Sequence, residues 1–547
     1  MMDNPAAFPT LTTEQLARVA RFGRTRAVAV DDVLAEAGAR YLHIYVVKGG
    51  RIEITQPWKD TEQLIAELKP GQFSGEVSFL SGRRMLVRLR VVEPGEVIEI
   101  DRDALLEMVQ TDSELGDLFM RSFILRRIEL IEKNFGDVVL VGSMHSPQTL
   151  RIKEFLTRNG HPYTYLDLDR DEAATEMLEQ FHTSVDYVPV MICRGQVILR
   201  NPTNEEIADC LGFNVSIDET QMRDVIIVGA GPAGLAAAVY AASEGLDVLV
   251  VESSAPGGQA GSSSKIENYL GFPTGISGLE LANRAYTQAQ KFGADVMVAK
   301  TAKSITCDRT PYSIEIDGGS RVAGRAIIIA AGAEYRKLPV HNLSQFENCG
   351  VYYAATRIEA QFCGGESIIV VGGGNSAGQA AVFLAQTATR VFLICRSSDL
   401  GKSMSRYLVR RIEETANIEV KLNTEVDSFH GGDHLERVGL RNKVTHEIET
   451  VNVRHVFLMT GAIPNTKWLD GCVTLDAKGF IKTGPALTPE DLLAKEWRLT
   501  RKPHLLETSL RGVFAVGDVR ADNVKRVASA VGEGSIAIAF VHQVLNE

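Results

Sequence analysis

Two glycine-rich loops hold the residues whose types and spacing point most directly to chemistry. The first, Val228-Gly229-Ala230-Gly231-Pro232-Ala233-Gly234-Leu235, follows the apolar run Asp224-Val225-Ile226-Ile227-Val228 and opens an alanine-rich segment. At that spacing Gly229 permits a tight turn, Gly231 lets the backbone approach a pyrophosphate, and Gly234 lets helix and strand pack closely. Pro232 and Ala233 lie in the same loop, at a helix N-terminus that faces the phosphates. Glu252, at the end of the next strand Val248-Leu249-Val250-Val251, would accept hydrogen bonds from a ribose.

The second loop, Gly372-Gly373-Gly374-Asn375-Ser376-Ala377, follows Ile368-Ile369-Val370-Val371. Its next strand, Val391-Phe392-Leu393-Ile394, ends in Cys395-Arg396 rather than in an acid, with Lys402 and Arg406 nearby. A cation there suits a 2′-phosphate, so NADPH is expected, with NADH possible. Two such loops imply two bound nucleotides.

Further motifs stand in register with these loops: Gly257-Gly258-Gln259, Glu267-Asn268-Tyr269, Ala330-Ala331-Gly332-Ala333, Thr460-Gly461-Ala462-Ile463-Pro464-Asn465, Val516-Gly517-Asp518 and Arg526-Val527-Ala528. Through them, residues from about 222 to 547 resemble the thioredoxin reductase family. The resemblance implies FAD at the first loop. It implies NADPH at the second, on Gly372, Gly374, Asn375, Ser376, Ala377, Arg396 and Arg406. It implies an FAD domain in two pieces, 222–338 and 464–547, with an NADPH domain, 339–463, between them. Gly258, Gln259, Asn268 and Gly332 would contact the flavin nucleotide, Gly517 and Asp518 its ribityl chain, and Arg526, Val527 and Ala528 its isoalloxazine. A homodimer, and an NADPH domain that rotates, are implied as well.

The same resemblance exposes an absence. That family carries Cys-Ala-Thr-Cys ahead of the second loop, whereas this chain reads Gly350-Val351-Tyr352-Tyr353-Ala354-Ala355-Thr356-Arg357. Disulfide exchange needs a thiolate and a second sulfur to resolve it. Ala354 offers neither, and Arg357 is a fixed cation. Ile358 replaces the acid that usually follows, with Glu359 one residue later, and Cys363 reads as a packing residue before a buried strand. No catalytic dithiol and no metal-ligand set is expected. Electrons reaching the flavin would leave for an external acceptor, either a small molecule or a redox protein. Three further readings stay open. One is an enzyme like the ferredoxin- or flavodoxin-NADP reductases that lack the dithiol. The second is a thioredoxin-disulfide reductase in name only, and the third a regulatory flavoprotein responding to nucleotide or redox state.

The elements that must position these residues fall into three regimes, so the expected fold class is multidomain α/β. Residues 1–135 read as a β-roll closed by helices, with a hairpin turn at Lys48-Gly49-Gly50 and a long helix over Ser113–Glu132. There Phe73-Ser74-Gly75-Glu76 and Val77-Ser78-Phe79-Leu80-Ser81-Gly82 resemble the phosphate-binding cassette of cyclic nucleotide-binding domains. The arginine that family uses would fall at Met85 or Leu86; Arg83, Arg84 and Arg88 are out of register. A cyclic nucleotide or related ligand is the partner this implies.

Residues 136–215 show the order βαβαββα and resemble the thioredoxin and glutaredoxin fold, with Val188-Pro189 at its cis-proline position. Ser146-Pro147-Gln148-Thr149 occupies the place of Cys-Pro-Tyr-Cys, so hydroxyls replace both sulfurs. From Asp224 onward, strands alternate with helices, which predicts two Rossmann-like parallel sheets.

At 547 residues the chain needs about three to four domains. A net charge of −11 argues against a nucleic-acid partner. No uninterrupted apolar run approaches the roughly 20 residues of a membrane span, and the N-terminus lacks signal-peptide character. A cytoplasmic protein is therefore expected. Seven cysteines without a Cys-x-x-Cys pair suggest free thiols in a reducing compartment.

Overall fold

The computed structural model describes residues 4–547 except 41, 59–60, 134, 215–217, 264, 309, 341, 348–349, 354, 356–359, 362, 433 and 470. In the N-terminal part, strands β1 (Arg24–Val28), β2 (Val33–Ala35), β3 (His43–Trp58), β4 (Thr61–Leu68) and β5 (Arg88–Asp101) form one sheet. Its order is β1-β5-β3-β4, with β2 on β5. The hairpin turn expected at Lys48-Gly49-Gly50 is not there: β3 runs through it as a single strand. Gly50 has φ of 85°, and a Cβ on it would lie 2.4 Å from the Glu93 carbonyl oxygen. The glycines therefore admit a bulge where β5 passes close, instead of reversing the chain. Helices α1 (Thr13–Val19), α2 (Arg102–Thr111) and α3 (Ser113–Glu132) close this sheet. Asp112 caps α3, which lays Phe119 against Phe73 with ring centroids 3.9 Å apart.

The middle part runs β6 (Val138–Gly142), α4 (Pro147–Arg158), β7 (Thr164–Asp167), α5 (Glu172–Gln180), β8 (Val190–Cys193), β9 (Val197–Arg200) and α6 (Asn204–Leu211). Its sheet order is β7-β6-β8-β9, in which only β6 and β7 are parallel. The Val188–Pro189 bond before β8 is cis. Just beyond α6, Asn214 exchanges two hydrogen bonds of 2.9 Å with the backbone of Val298, which docks this part on the next.

The remainder holds two parallel sheets. In the first, β12 (Asp295–Met297), β11 (Val248–Val251), β10 (Met222–Val228) and β15 (Arg321–Ile329) lie side by side and parallel. Two antiparallel strands, β14 (Tyr312–Ile316) and β13 (Ala302–Thr306), extend it past β15. The late strand Val513–Ala515 joins β15 in parallel, so this domain is built from two separated stretches of chain. The second sheet is five parallel strands lying between residues 351 and 458, including Ser367–Val371 and Arg390–Ile394. The two connecting segments pair as an antiparallel ribbon, Ala333–Tyr335 against Ala462–Pro464.

One expectation is corrected. Not all cysteines are free: Cys307 and Cys472 are joined by a disulfide across 165 residues of sequence. Linear spacing conceals this pair because its halves lie in the two separated stretches of the same domain. Among the described residues, one helix, Val527–Asn546, is long and apolar enough to cross a membrane. Here its Ala537, Ile538 and Val541 are buried in a core shared with α7 (Pro232–Ser243).

Candidate nucleotide and redox sites

The first loop is shaped by steric need. Gly229 has φ of 105°, and a Cβ there would lie 2.3 Å from the Ala330 carbonyl oxygen. A Cβ on Gly234 would lie 1.9 Å from the Gly229 oxygen, so strand and helix could not approach. Gly231 caps α7, with Pro232 at its first position, where its missing N–H costs nothing. The buried Glu252 carboxylate accepts from the Ala230 N–H at 2.7 Å and from the Ser254 N–H at 2.9 Å. It thus braces the loop, and a carboxylate's roughly four acceptor positions leave capacity for ribose hydroxyls.

Gly258 lies opposite Gly231, where a Cβ would come 3.0 Å from the Gly231 Cα. The Gln259 side chain donates to the Ala333 carbonyl, and Ala233 packs into the core. Gly332 accepts from the Asn465 N–H at 3.1 Å, and Asn268 is exposed. Gly517 donates its N–H to Glu533 at 2.7 Å. The next residue, Asp518, is half-buried, and its carboxylate has no hydrogen-bond partner among the described residues. Burial, reinforced by Glu533 and opposed by Lys525, pushes its carboxyl above the usual carboxylate range. An unsatisfied acceptor beside a helix N-terminus fits a polyhydroxylated, phosphorylated ligand such as FAD. Arg526 caps the helix Val527–Leu545; Arg526 and Ala528 are exposed and Val527 is half-buried.

The second loop opens onto a cavity of about 730 Å³ lined by Gly372, Gly374, Asn375, Ser376 and Arg396, among others. A Cβ on Gly372 would lie 2.4 Å from the Met459 oxygen. Asn375 accepts from the N–H and hydroxyl of Ser405, at 2.7 and 3.0 Å, which fixes the loop's edge. Arg396 is exposed and has no acidic partner among the described residues, which leaves it free for a phosphate. Arg406 lies on the exposed first turn of the helix Arg406–Glu413, outside the cavity lining, and Ala377 is buried in the core.

Three positioning features escape the motif reading. Arg158 of α4 donates to the Gly258 carbonyl at 2.9 Å, so the middle part holds the segment that faces the first nucleotide loop. Glu533 anchors Gly517 while pairing with Arg520. Arg411 pairs with Glu267 at 2.9 Å, tying the inserted domain to the first. Residue type alone does not identify these partners, because each contact forms only in the assembled fold.

The dithiol positions Ala354 and Arg357, with Ile358 and Glu359, lie outside the described residues. Beside them Tyr352 stacks on His455, with ring centroids 5.9 Å apart. In the middle part Ser146 is the N-cap of α4, and Thr149 is fully buried with its hydroxyl unpartnered. His145 approaches His434 of the inserted domain to 6.3 Å between ring centroids, so this end of the middle part faces that domain. In the N-terminal part Glu76 accepts from the Ser78 N–H and pairs with Arg127 at 3.5 Å. Met85 and Leu86 are buried, and Arg88 pairs with Glu36. Arg83 is buried at a junction of all three parts. It donates to the Asn159 carbonyl at 3.0 Å and the Tyr286 hydroxyl at 3.3 Å, and stacks over Phe213.

Residues 223–534 match the family described as pyridine nucleotide-disulphide oxidoreductase, and residues 25–112 match the cyclic nucleotide-binding domain. The thioredoxin reductase of Bacillus subtilis (strain 168) is 32% identical over 332 residues, covering 60% of this chain and 97% of that protein. That of Treponema pallidum (strain Nichols) is 33% identical over 314 residues, covering 57% of this chain and 94% of its own length. Among solved structures, T. acidophilum thioredoxin reductase is 29% identical and covers 59% of this chain and 99% of its own, with a TM-score of 0.53. Lactococcus lactis thioredoxin reductase in the FR conformation is 27% identical over 59% of this chain and all of its own, also with a TM-score of 0.53. With two nucleotide loops, a divided first domain and an N-terminal cyclic nucleotide-binding domain, this chain belongs to the pyridine nucleotide-disulphide oxidoreductase family and is an oxidoreductase of thioredoxin reductase-like architecture.

Proposed function

We propose that this chain is an FAD-dependent NAD(P)H oxidoreductase that passes electrons to an external acceptor without an internal dithiol. The observation that carries the reading is the pairing of two complete glycine loops with Ala354 and Arg357 at the sulfur positions. FAD, when bound, supplies the two-electron acceptor for a nicotinamide hydride. The chain's own residues do the rest. Gly229, Gly231 and the first turn of α7 receive the pyrophosphate, Glu252 receives the ribose, and Asp518 the ribityl hydroxyls. Arg396 receives a 2′-phosphate, which favours NADPH. The boundaries that follow are 222–338 with 464–547 for FAD and 339–463 for NAD(P)H, in a cytoplasmic homodimer.

Anaerobic NADPH should bleach the purified flavoprotein within the mixing time of a spectrophotometer. A flavin that stays oxidised with both NADPH and NADH would sink the proposal. A screen of ferredoxin, flavodoxin, quinone and a small disulfide then identifies the acceptor. Turnover with the disulfide matching the others would overturn the assignment of a lost disulfide-reductase activity.

Residues 136–215 are read as a thioredoxin-fold module lacking its dithiol, supported by the β7-β6-β8-β9 order, the cis Val188–Pro189 bond and Ser146 and Thr149 at the head of α4. For residues 1–135 the ligand class to test is a cyclic nucleotide. Glu76 is already paired with Arg127, and Arg83 is committed to the junction. A melting temperature raised by saturating cAMP or cGMP would establish binding, and no change with either would define a docking module.

A further inference from the structure

The middle part holds a pair of thiols at the pole opposite its lost redox site. In the β6–β8 register Val141 lies opposite Val190 and Val138 opposite Cys193. Cys193 is therefore at the far end of β8 from the cis Val188–Pro189 bond and from Ser146. Cys193 is fully buried, Cys210 on α6 is half-buried, and both are free. Cys210 packs against the core cluster that contains Cys193.

We propose that Cys193 and Cys210 form an accessory dithiol that exchanges with a small anionic disulfide and closes into an intramolecular disulfide. The surroundings fit both the chemistry and the charge. Arg194 donates from its guanidinium to the Cys210 carbonyl at 3.1 Å. Arg40 and Arg84 line a small cavity of about 120 Å³ with Asp209, Gly212 and Asn214, one residue from Cys210. Three arginines against Asp209 and the buried Asp137 leave a local surplus of positive charge for carboxylates on the incoming disulfide.

The two thiols are unequal. Cys193, helped by Arg194 and opposed by burial and Asp137, holds the Cys210 thiol below the usual thiol range. Cys210 and burial push the Cys193 thiol up. Cys210, the more accessible of the two, is thus the attacking group and Cys193 the buried resolving one. The Cys210 thiolate attacks one sulfur of R–S–S–R, forms a Cys210–S–S–R bond and expels R–S⁻. Cys193 then attacks the Cys210 sulfur and expels the second R–S⁻, while its proton and one from solvent convert both thiolates to R–SH. The pair loses two electrons and the external disulfide gains them. This reaction is independent of the flavin reading, because neither nucleotide takes part.

The test uses the full-length flavoprotein and glutathione disulfide as the probe, followed by alkylation and peptide mapping. The wild type should yield a Cys193–Cys210 linked peptide, and Cys193→Ala should accumulate glutathione on Cys210. A far-UV circular dichroism spectrum and melting temperature matching the wild type show that the variant is folded. Alkylation of Cys210 in the wild type should have its midpoint below that of an ordinary thiol, shifting upward in Cys193→Ala, a change that a merely structural cysteine would not produce. The proposal is overturned if both thiols stay alkylatable after glutathione disulfide. A wild-type Cys210 adduct that never resolves would overturn it equally.

Discussion

The two glycine loops share a backbone plan and differ in what closes them. At the first, the acid Glu252 is buried and already holds the Ala230 and Ser254 N–H groups. At the second, the equivalent strand leads into Arg396, exposed, without an acidic partner among the described residues, and lining a cavity of about 730 Å³. The first site is thus braced by its own chain and by Arg158 from the middle part, as suits a nucleotide that stays. The second is open and charged, as suits one that comes and goes.

The sharpest break of this comparison is to put a methyl group into each loop. Gly229→Ala combines a left-handed φ with a contact at 2.3 Å from backbone. Strain of this kind costs about 1–3 kcal/mol before the clash is counted, so the protein should purify without flavin and without activity. Gly372→Ala meets the Met459 oxygen at 2.4 Å. It should keep its yellow colour but lose roughly 100-fold in NADPH reduction rate, on the same strain scale. Equal flavin loss in both variants would erase the distinction between a resident and a visiting nucleotide.

The next comparison exchanges charge. Arg396→Ala removes a charge-assisted contact worth about 1.5–3 kcal/mol, so kcat/KM for NADPH should fall roughly 10- to 100-fold while that for NADH stays level. Glu252→Gln places an amide N–H₂ toward a backbone donor. It should weaken FAD binding by about 1–3 kcal/mol, read by flavin release on dilution. Equal losses for NADPH and NADH in Arg396→Ala would remove the 2′-phosphate assignment.

Much of this site was legible in the chain because glycine motifs encode backbone geometry locally. Gly229, Gly234 and Gly372 each stand where a Cβ would strike backbone, so residue type alone announced the turn. Lys48-Gly49-Gly50 used the same residue for another end, a close strand crossing, and was read as a hairpin. Contacts that depend on the assembled fold had no local signal. Arg83 reaches Tyr286 across 203 residues, and Cys307 reaches Cys472 across 165. Arg406 shows the same limit. It is near Arg396 in sequence, but its place on the first turn of its own helix, apart from the residues that line the cavity, carried no local signal.

The smallest effect concerns the bond between the two nucleotide domains. Burial opposes ionisation of Glu267, but hydrogen bonds from Arg411 and Lys265 hold its carboxyl below the usual glutamate range. Both partners are partly exposed, so the Glu267–Arg411 pair is worth about 0.3–1 kcal/mol. Because the folded-state value is depressed, this stabilisation is present above the unfolded glutamate value of about 4.3 and is lost as pH falls through the lower folded value. Glu267→Gln should therefore melt slightly below the wild type at neutral pH, with the gap closing below about pH 4. A gap that persists into acid would mean that Glu267 contributes through packing, and that the inserted domain is held to the first chiefly by the ribbon of Ala333–Tyr335 on Ala462–Pro464.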